Sequence, residues 1–269
     1  MESTHHRFFL GGRDLEMVEI AALLREAGLG ERIVDAGLAW GARASDHAGA
    51  VERALAAGET PVLIELLDDL PVEIDRRRLV EIDHHGARAG HGRPTSLEQI
   101  FDLVGRPAGL TWTRRRALVA ANDRGHAGAM RALGANPEEI RAIRDADRAA
   151  QGIGPEVEAE SRRAIDAARR AGPLLVVETS APTSSAIFDR LLPEYGGPGT
   201  DDVLVEMPQI WAFSGDGRVI ADLSTTPECW YGGDLPERGF WGAPRAAWTR
   251  EELVERILAL LPPIARTDE

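Results

Sequence analysis

The sequence predicts an α/β protein built as a parallel-sheet N-terminal unit, a helical connector and a smaller C-terminal α/β unit. Three observations predict it. Short apolar runs alternate with amphipathic stretches over residues 7–83. A charged, Ala-rich, helix-favouring stretch starts at Asn136. A second set of apolar runs begins at Leu174. The expected divisions are residues 1–148, 149–172 and 173–269 of the 269-residue chain, in keeping with ~150 residues per domain.

Residues 7–10 read as a strand ending at Gly11-Gly12, and 14–27 carry Leu15, Val18 and Ala22 at helical spacing. Residues 32–36 form a short strand, and 45–57 a helix capped by Ser45 or Asp46. Residues 61–65 and 79–83 are buried strands, each an apolar run ending in an acid. Helices cover 96–104 and 111–121, and Asn136-Pro137-Glu138-Glu139 opens another, with Asn as cap and Pro in its first turn. Helix is expected from there to Ala171, broken at Gly152-Ile153-Gly154-Pro155. Next come a strand (174–177), a helix (184–192), a glycine-rich loop (195–199) and strands (203–207 and 210–213). Ser214-Gly215-Asp216-Gly217 signals a hairpin before a strand at 218–223. Residues 225–244 read as irregular, and 249–261 as a last helix closed by Pro262-Pro263.

Net charge is −13 with His neutral, and all 31 basic residues are Arg. An acidic surface repels polyanions, which argues against long nucleic acid as a partner and leaves a small anionic substrate open. No apolar run approaches the ~20 residues of a membrane span. Met1-Glu2-Ser3-Thr4 lacks the basic start of a signal peptide, and the only cysteine is Cys229, so a cytoplasmic protein without disulfides is expected. Apolar helix faces could pair two copies into a homodimer.

Asp83-His84-His85 follows the apolar run 79–82, where open α/β sheets place their ligands. On extended backbone the two rings would point opposite ways, one to a metal and one to substrate. A solvated strand end is the plainer alternative. Asp14-Leu15-Glu16 offers two acids at a strand-to-helix turn, or else a helix cap with a first-turn acid. Glu65 ends a strand, with Asp68 and Asp69 close behind. Asp123, in Asn122-Asp123-Arg124-Gly125-His126, opposes the dipole of the helix it ends. Acids from three segments, with acid and imidazole from a fourth, are what an oxygen/nitrogen metal site needs.

In these motifs and their order the sequence resembles the DHH phosphoesterase superfamily. Asp14-Leu15-Glu16 stands as its first motif, Ile64-Glu65 (or Asp68) as the second, Asp83-His84-His85-Gly86 as the signature and Asn122-Asp123-Arg124-Gly125 as the fourth. The second half resembles the family's smaller, DHHA1-like substrate-binding domain, with Trp230-Tyr231-Gly232-Gly233 and Gly239-Phe240-Trp241-Gly242 as its glycine-rich loop.

The resemblance implies two divalent ions, usually Mn²⁺ (with Mg²⁺ or Co²⁺ as alternatives). They would be held by Asp14, Glu16, Glu65 or Asp68, His84 and Asp123, and metal-activated water would hydrolyse a small phosphate ester, nucleotide or short oligonucleotide. His85, with Asp83, would contact the phosphoryl group or assist proton transfer. Arg238, Gly232, Gly233 and His126 would bind substrate, and Trp230, Phe240 and Trp241 could stack on a base or simply pack the domain edge. The sequence departs from the family pattern in four places. No His precedes Asp14, where Phe8-Phe9-Leu10-Gly11 stands, although His5, His6, His47 or His126 could fill that gap. Glu occupies positions 16 and 65, where Asp is usual. Asp234 or Trp230 stands where the loop usually has His. These departures keep two other functions open: a non-catalytic metal- or ligand-binding protein, and a hydrolase of a substrate without phosphorus.

Overall fold

The computed structural model of the protein describes residues 5–39, 41–199 and 202–262; the expectations for residues 1–4 and Pro263 lie outside them. The first sheet contains β1 (His6–Phe9), β2 (Ile33–Val34), β3 (Thr60–Ile64) and β4 (Val80–Ile82), all parallel, in the order β2-β1-β3-β4. Helix α1 (Leu15–Glu26) joins β1 to β2, and α2 (Ala48–Ala56) joins β2 to β3. After β4 come α3 (Ser96–Ile100), which runs on into a π-helical turn at Phe101–Gly105, then α4 (Arg114–Ala132) and α5 (Pro137–Ala150).

Side chains alternate across a strand, and the strands use both faces. Phe8, Val62, Ile64 and Ile82 pack with α1, α3, α4 and α5. Phe9 and Leu63 pack with Val51 and Ala54 of α2. The strand order reverses between β1 and β3, so the carboxyl ends of these two strands flank the crevice where such sheets bind ligands.

The second sheet follows α6 (Pro155–Asp166). It contains β5 (Arg169–Ala171), β6 (Leu174–Glu178), β7 (Val203–Glu206), β8 (Ile210–Asp216), β9 (Trp230–Gly232) and β10 (Arg238–Pro244), in the order β5-β6-β7-β8-β10-β9. Only β6 and β7 pair in parallel. One face packs on α6 and α7 (Ser185–Arg190). The other packs on α8 (Gly217–Leu223) and α9 (Arg250–Leu260) around the buried Trp211, Phe213 and Trp241.

Four expectations are corrected. Residues 169–171 are an edge strand, paired with β6, rather than the end of a helix. The stretch after Gly217 is a helix and not a hairpin strand: Val219, Ile220 and Leu223 share one buried face, and the Asp216 carboxylate accepts from Arg218 N at its start. Residues 230–244 hold two antiparallel strands. Glycine makes their pairing possible, because a Cβ on Gly242 would fall 2.4 Å from the Trp230 ring. The fourth correction is α4, which continues to Ala132 across a break at Gly125 and His126.

Candidate metal centre

The first-sheet strands end in functional groups. Beyond β1, Asp14 caps α1 by accepting a hydrogen bond from Met17 N (2.8 Å), and Glu16 lies in the first turn. Beyond β3, Glu65 adopts φ 51°, a left-handed conformation uncommon for a residue with a side chain. Beyond β4 come Asp83, His84 and His85. Asp123 projects from α4 two residues before its break.

One ligand atom each from Glu16, Glu65, His84 and Asp123 lies within 4.8 Å of all the others. His84 Nε2 contacts Asp123 Oδ2 and sits 3.3 Å from Glu65 Oε1 and 3.8 Å from Glu16 Oε2. One ring nitrogen cannot aim a single proton at three carboxylates. Accordingly, Glu16 Oε2, Glu65 Oε1, His84 Nε2 and Asp123 Oδ2 are all buried without a hydrogen bond. Buried polar atoms are normally satisfied, and four orphans aimed at one point fit a cation. Three oxygens and one imidazole nitrogen suit a divalent metal.

The electrostatics agree. Burial, then the charges of Asp123 and Glu65, raise the Glu16 carboxyl well above its ordinary range. Burial, then Glu65 and Asp123, do the same to Asp14. Burial opposes charge on His84, but Asp123, Glu65 and Glu16 outweigh it and push the ring up to about 12. Burial also opposes charge on Glu65, whose pKa is nonetheless held low by His85 and His84. Without a cation, this cluster draws protons to balance its charge.

Two of the four groups are held from behind. Glu16 Oε1 accepts from Leu97 N at the start of α3 (2.9 Å). Glu65 N donates to Ile82 O (2.8 Å). Gly11 makes room for the Glu65 turn, since a Cβ there would fall 2.5 Å from Glu65 O and 2.6 Å from Ile64 O. Gly11→Ala is therefore expected to cost about 1–3 kcal/mol by overpacking and to weaken cation binding as well, because the displaced backbone belongs to a candidate ligand. Urea unfolding and a Mn²⁺ titration of the same variant check both effects.

His85 does not point away from His84 as strand alternation predicts. Strand β4 ends at Ile82, and the two rings lie 4.4 Å apart. Asp83 Oδ1 accepts from His85 N and lies 3.0 Å from His85 Nδ1, leaving Nε2 as the ring's other polar atom. Glu65, His84 and His85 form a second group of close ligand atoms. Gly232 of β9 lies over His85, where a Cβ would meet its Cδ2 at 3.3 Å, and Phe240 packs 6.2 Å from the His85 ring. The loop after the signature is tied to the same hairpin: His91 N donates to Leu235 O (2.7 Å), and His91 Nδ1 lies 2.9 Å from Asp234 Oδ1.

Other sequence candidates fall elsewhere. Asp68 is clasped by Arg76 through two hydrogen bonds (2.8 and 2.9 Å) and stays on its loop, because a guanidinium fork satisfies both oxygens. His126 pairs with Asp189 (3.0 Å) rather than with the cluster. His47 bonds to Leu10 O (3.0 Å). Arg238 lies 3.9 Å from Asp202, at the end of the second sheet. Gly233, at φ 111°, packs against Gly239. Trp241 is buried and donates to Leu223 O, so it is core and no base platform. The sequence reading missed Arg144 and Asp147. Both follow Ile140 and Ile143 at helical spacing on the buried face of α5, and that spacing was the signal that could have found them.

No family model and no curated protein matches the chain. Among solved structures it is similar to a DHH-domain protein described as a member of a family of ribosomal proteins (13% identity, 95% of this chain and 86% of that one, TM-score 0.47). It is also similar to the exonuclease RecJ bound to manganese (14%, 96% and 91%, TM-score 0.41). A third is a pGpG-specific phosphodiesterase, PggH, from Vibrio cholerae (11%, 95% and 99%, TM-score 0.36). Within this chain, residues from all four of the motifs read in the sequence meet at one point in space.

Proposed function

We propose that the protein is a divalent-metal-dependent phosphoesterase acting on a small phosphate ester, nucleotide or short oligonucleotide. The observation that carries this reading is the meeting of four unsatisfied buried ligand atoms at the sheet's switch point. Glu16, Glu65, His84 and Asp123 would hold the cation, with Mn²⁺ the first choice. When bound, such a metal neutralises phosphoryl charge and lowers the pKa of water. His85, oriented by Asp83, offers Nε2 to the phosphoryl group or to a proton in transit. The bare backbone of Gly232 lets the β9–β10 hairpin close over that ring. Arg238 would take a second phosphate. The net charge of −13 favours short substrates over long strands. In this proposal residues 1–148 form the metal domain, 149–172 the connector and 173–269 the substrate domain; the separate apolar cores of the two sheets support that division.

The test is hydrolysis of p-nitrophenyl phosphate, its bis-ester and a dinucleotide. Turnover is expected with added Mn²⁺ and should vanish with a chelator. A bound metal with no turnover on any of the three would instead favour a binding protein.

A further inference from the structure

Beneath the cluster lies a second buried network that the proposed chemistry does not use. Arg144 of α5 is only 4% exposed. Its Nε donates to Asp189 Oδ1 of α7 (2.7 Å), and its Nη1 donates to Asn122 Oδ1 (2.9 Å) and Asp147 Oδ2 (2.7 Å). Asn122 is the neighbour of Asp123 on α4. The other oxygen of Asp147 accepts from Leu15 N (3.1 Å), between Asp14 and Glu16 in the first turn of α1. One guanidinium therefore touches the helix that carries Asp123 directly, and through Asp147 it reaches the helix that carries Glu16.

The network also grips the break in α4. His126 has φ 55° and ψ −145°, a conformation costly for any residue with a Cβ. Its ring is held by Asp189, the same carboxylate that receives Arg144 and Arg148. Asp189 is fully buried. Helix α4 thus changes direction just past Asp123 under a constraint that comes from α7.

We propose that Arg144 is a positioning residue for the cation site: it fixes α1 relative to α4, and so sets the spacing of Glu16 and Asp123. This rests on the reading of the cluster as a cation site. A planar fork can hold three acceptors in fixed directions, which a lysine cannot do. Groups hydrogen-bonded to metal ligands typically tune affinity by about 10–100-fold, and Arg144, whose bonds go to the residues beside Asp123 and Glu16, should fall at the low end of that range.

The test is calorimetric titration of the full-length protein with Mn²⁺, together with the EPR line shape of the bound Mn²⁺. Arg144→Met is expected to weaken binding roughly 10-fold and to broaden the spectrum, with Arg144→Lys recovering part of the affinity. Asp147→Ala, which removes the link to Leu15 together with one acceptor of Arg144 and the acceptor of Gln151 Nε2, should weaken binding in the same direction and carries the test should Arg144→Met not fold. Arg116→Met is the control. Arg116 is equally buried, and it joins α4 to the far end of α1 through Glu26. That variant should lose stability but keep the wild-type affinity. The proposal is overturned if folded Arg144→Met and Asp147→Ala both bind within about twofold of wild type, well inside the usual range. It is equally overturned if Arg116→Met weakens binding as much as Arg144→Met. A wild-type protein that binds no divalent cation would instead remove the cation reading itself.

Discussion

Replacing His84 with alanine is expected to weaken cation binding at least ~100-fold and to remove turnover with it. His84 Nε2 is the nitrogen at the centre of three carboxylates, within 3.8 Å of an oxygen from each. Its loss leaves Glu16, Glu65 and Asp123 with more mutual repulsion and one ligand fewer. His85→Ala should separate the two effects. That ring is held by Asp83 and covered by Phe240 and Gly232, and its removal should cut turnover by about 10²–10⁴, the range of a lost general acid or base. Metal content should change little. Mn²⁺ titration beside steady-state kinetics of both variants checks the assignment. Equal metal loss from both would contradict it and make His85 a ligand, as its place in a second close group would allow.

Glu16→Gln should do the opposite to the metal-free fold and make it more stable. The glutamine keeps Oε1 as acceptor for Leu97 N while removing a buried charge that Asp123 and Glu65 oppose. His84 offsets part of the cost of that charge, so a gain of about 1–3 kcal/mol and a Tm rise of about 2–12 °C near neutral pH are expected.

The pH dependence has a definite sign. A carboxyl whose folded pKa is raised binds more protons in the fold than in the unfolded chain. Its contribution to stability therefore falls as pH rises from the ordinary value of 4.5 toward the folded value. The stability gap between Glu16→Gln and wild type should open above about pH 4.5 and close again below it. Taking the difference cancels groups distant from Glu16, while Glu65 and His84, whose titration Glu16 itself shifts, remain in it. Added Mn²⁺ should stabilise the wild type more as pH rises, since the cation replaces protons, and should barely stabilise the variant. Thermal melts of both chains from pH 4.5 to 7.5, with and without Mn²⁺, check each statement. A gap independent of pH would mean that Glu16 carries no abnormal charge.

Much of the first sheet was legible because its strands are short apolar runs ending in polar groups, and that pattern survives any tertiary arrangement. Glu65 and Asp83 could be placed at strand ends for this reason. Asp14 and Glu16 show both readings of one motif at once, the first as cap and the second in the cluster. The second sheet was less legible. Residues 230–244 looked irregular because their glycines, which break propensity, are what lets Trp230 and Phe240 lie flat against neighbouring strands. Residues 217–223 misled in the other direction, since Asp216-Gly217 serves equally as a turn and as a helix entry. Asp68 and Glu65 were indistinguishable as second-motif acids until the Arg76 clasp was visible. The spacing of Ile140 and Ile143 puts Arg144 on the inward face of its helix, but which carboxylates meet it there shows only in the assembled fold.

Asp189 belongs to the half of the chain that a ribosome delivers last. The four candidate ligands are all synthesised by residue 123, and Arg144 follows soon after. Until Asp189 emerges, that buried guanidinium lacks one of its carboxylate partners, and the bend beyond Asp123 lacks its anchor. The finished polypeptide should therefore capture metal more firmly than any nascent stretch of it, which would discourage loading before synthesis is complete.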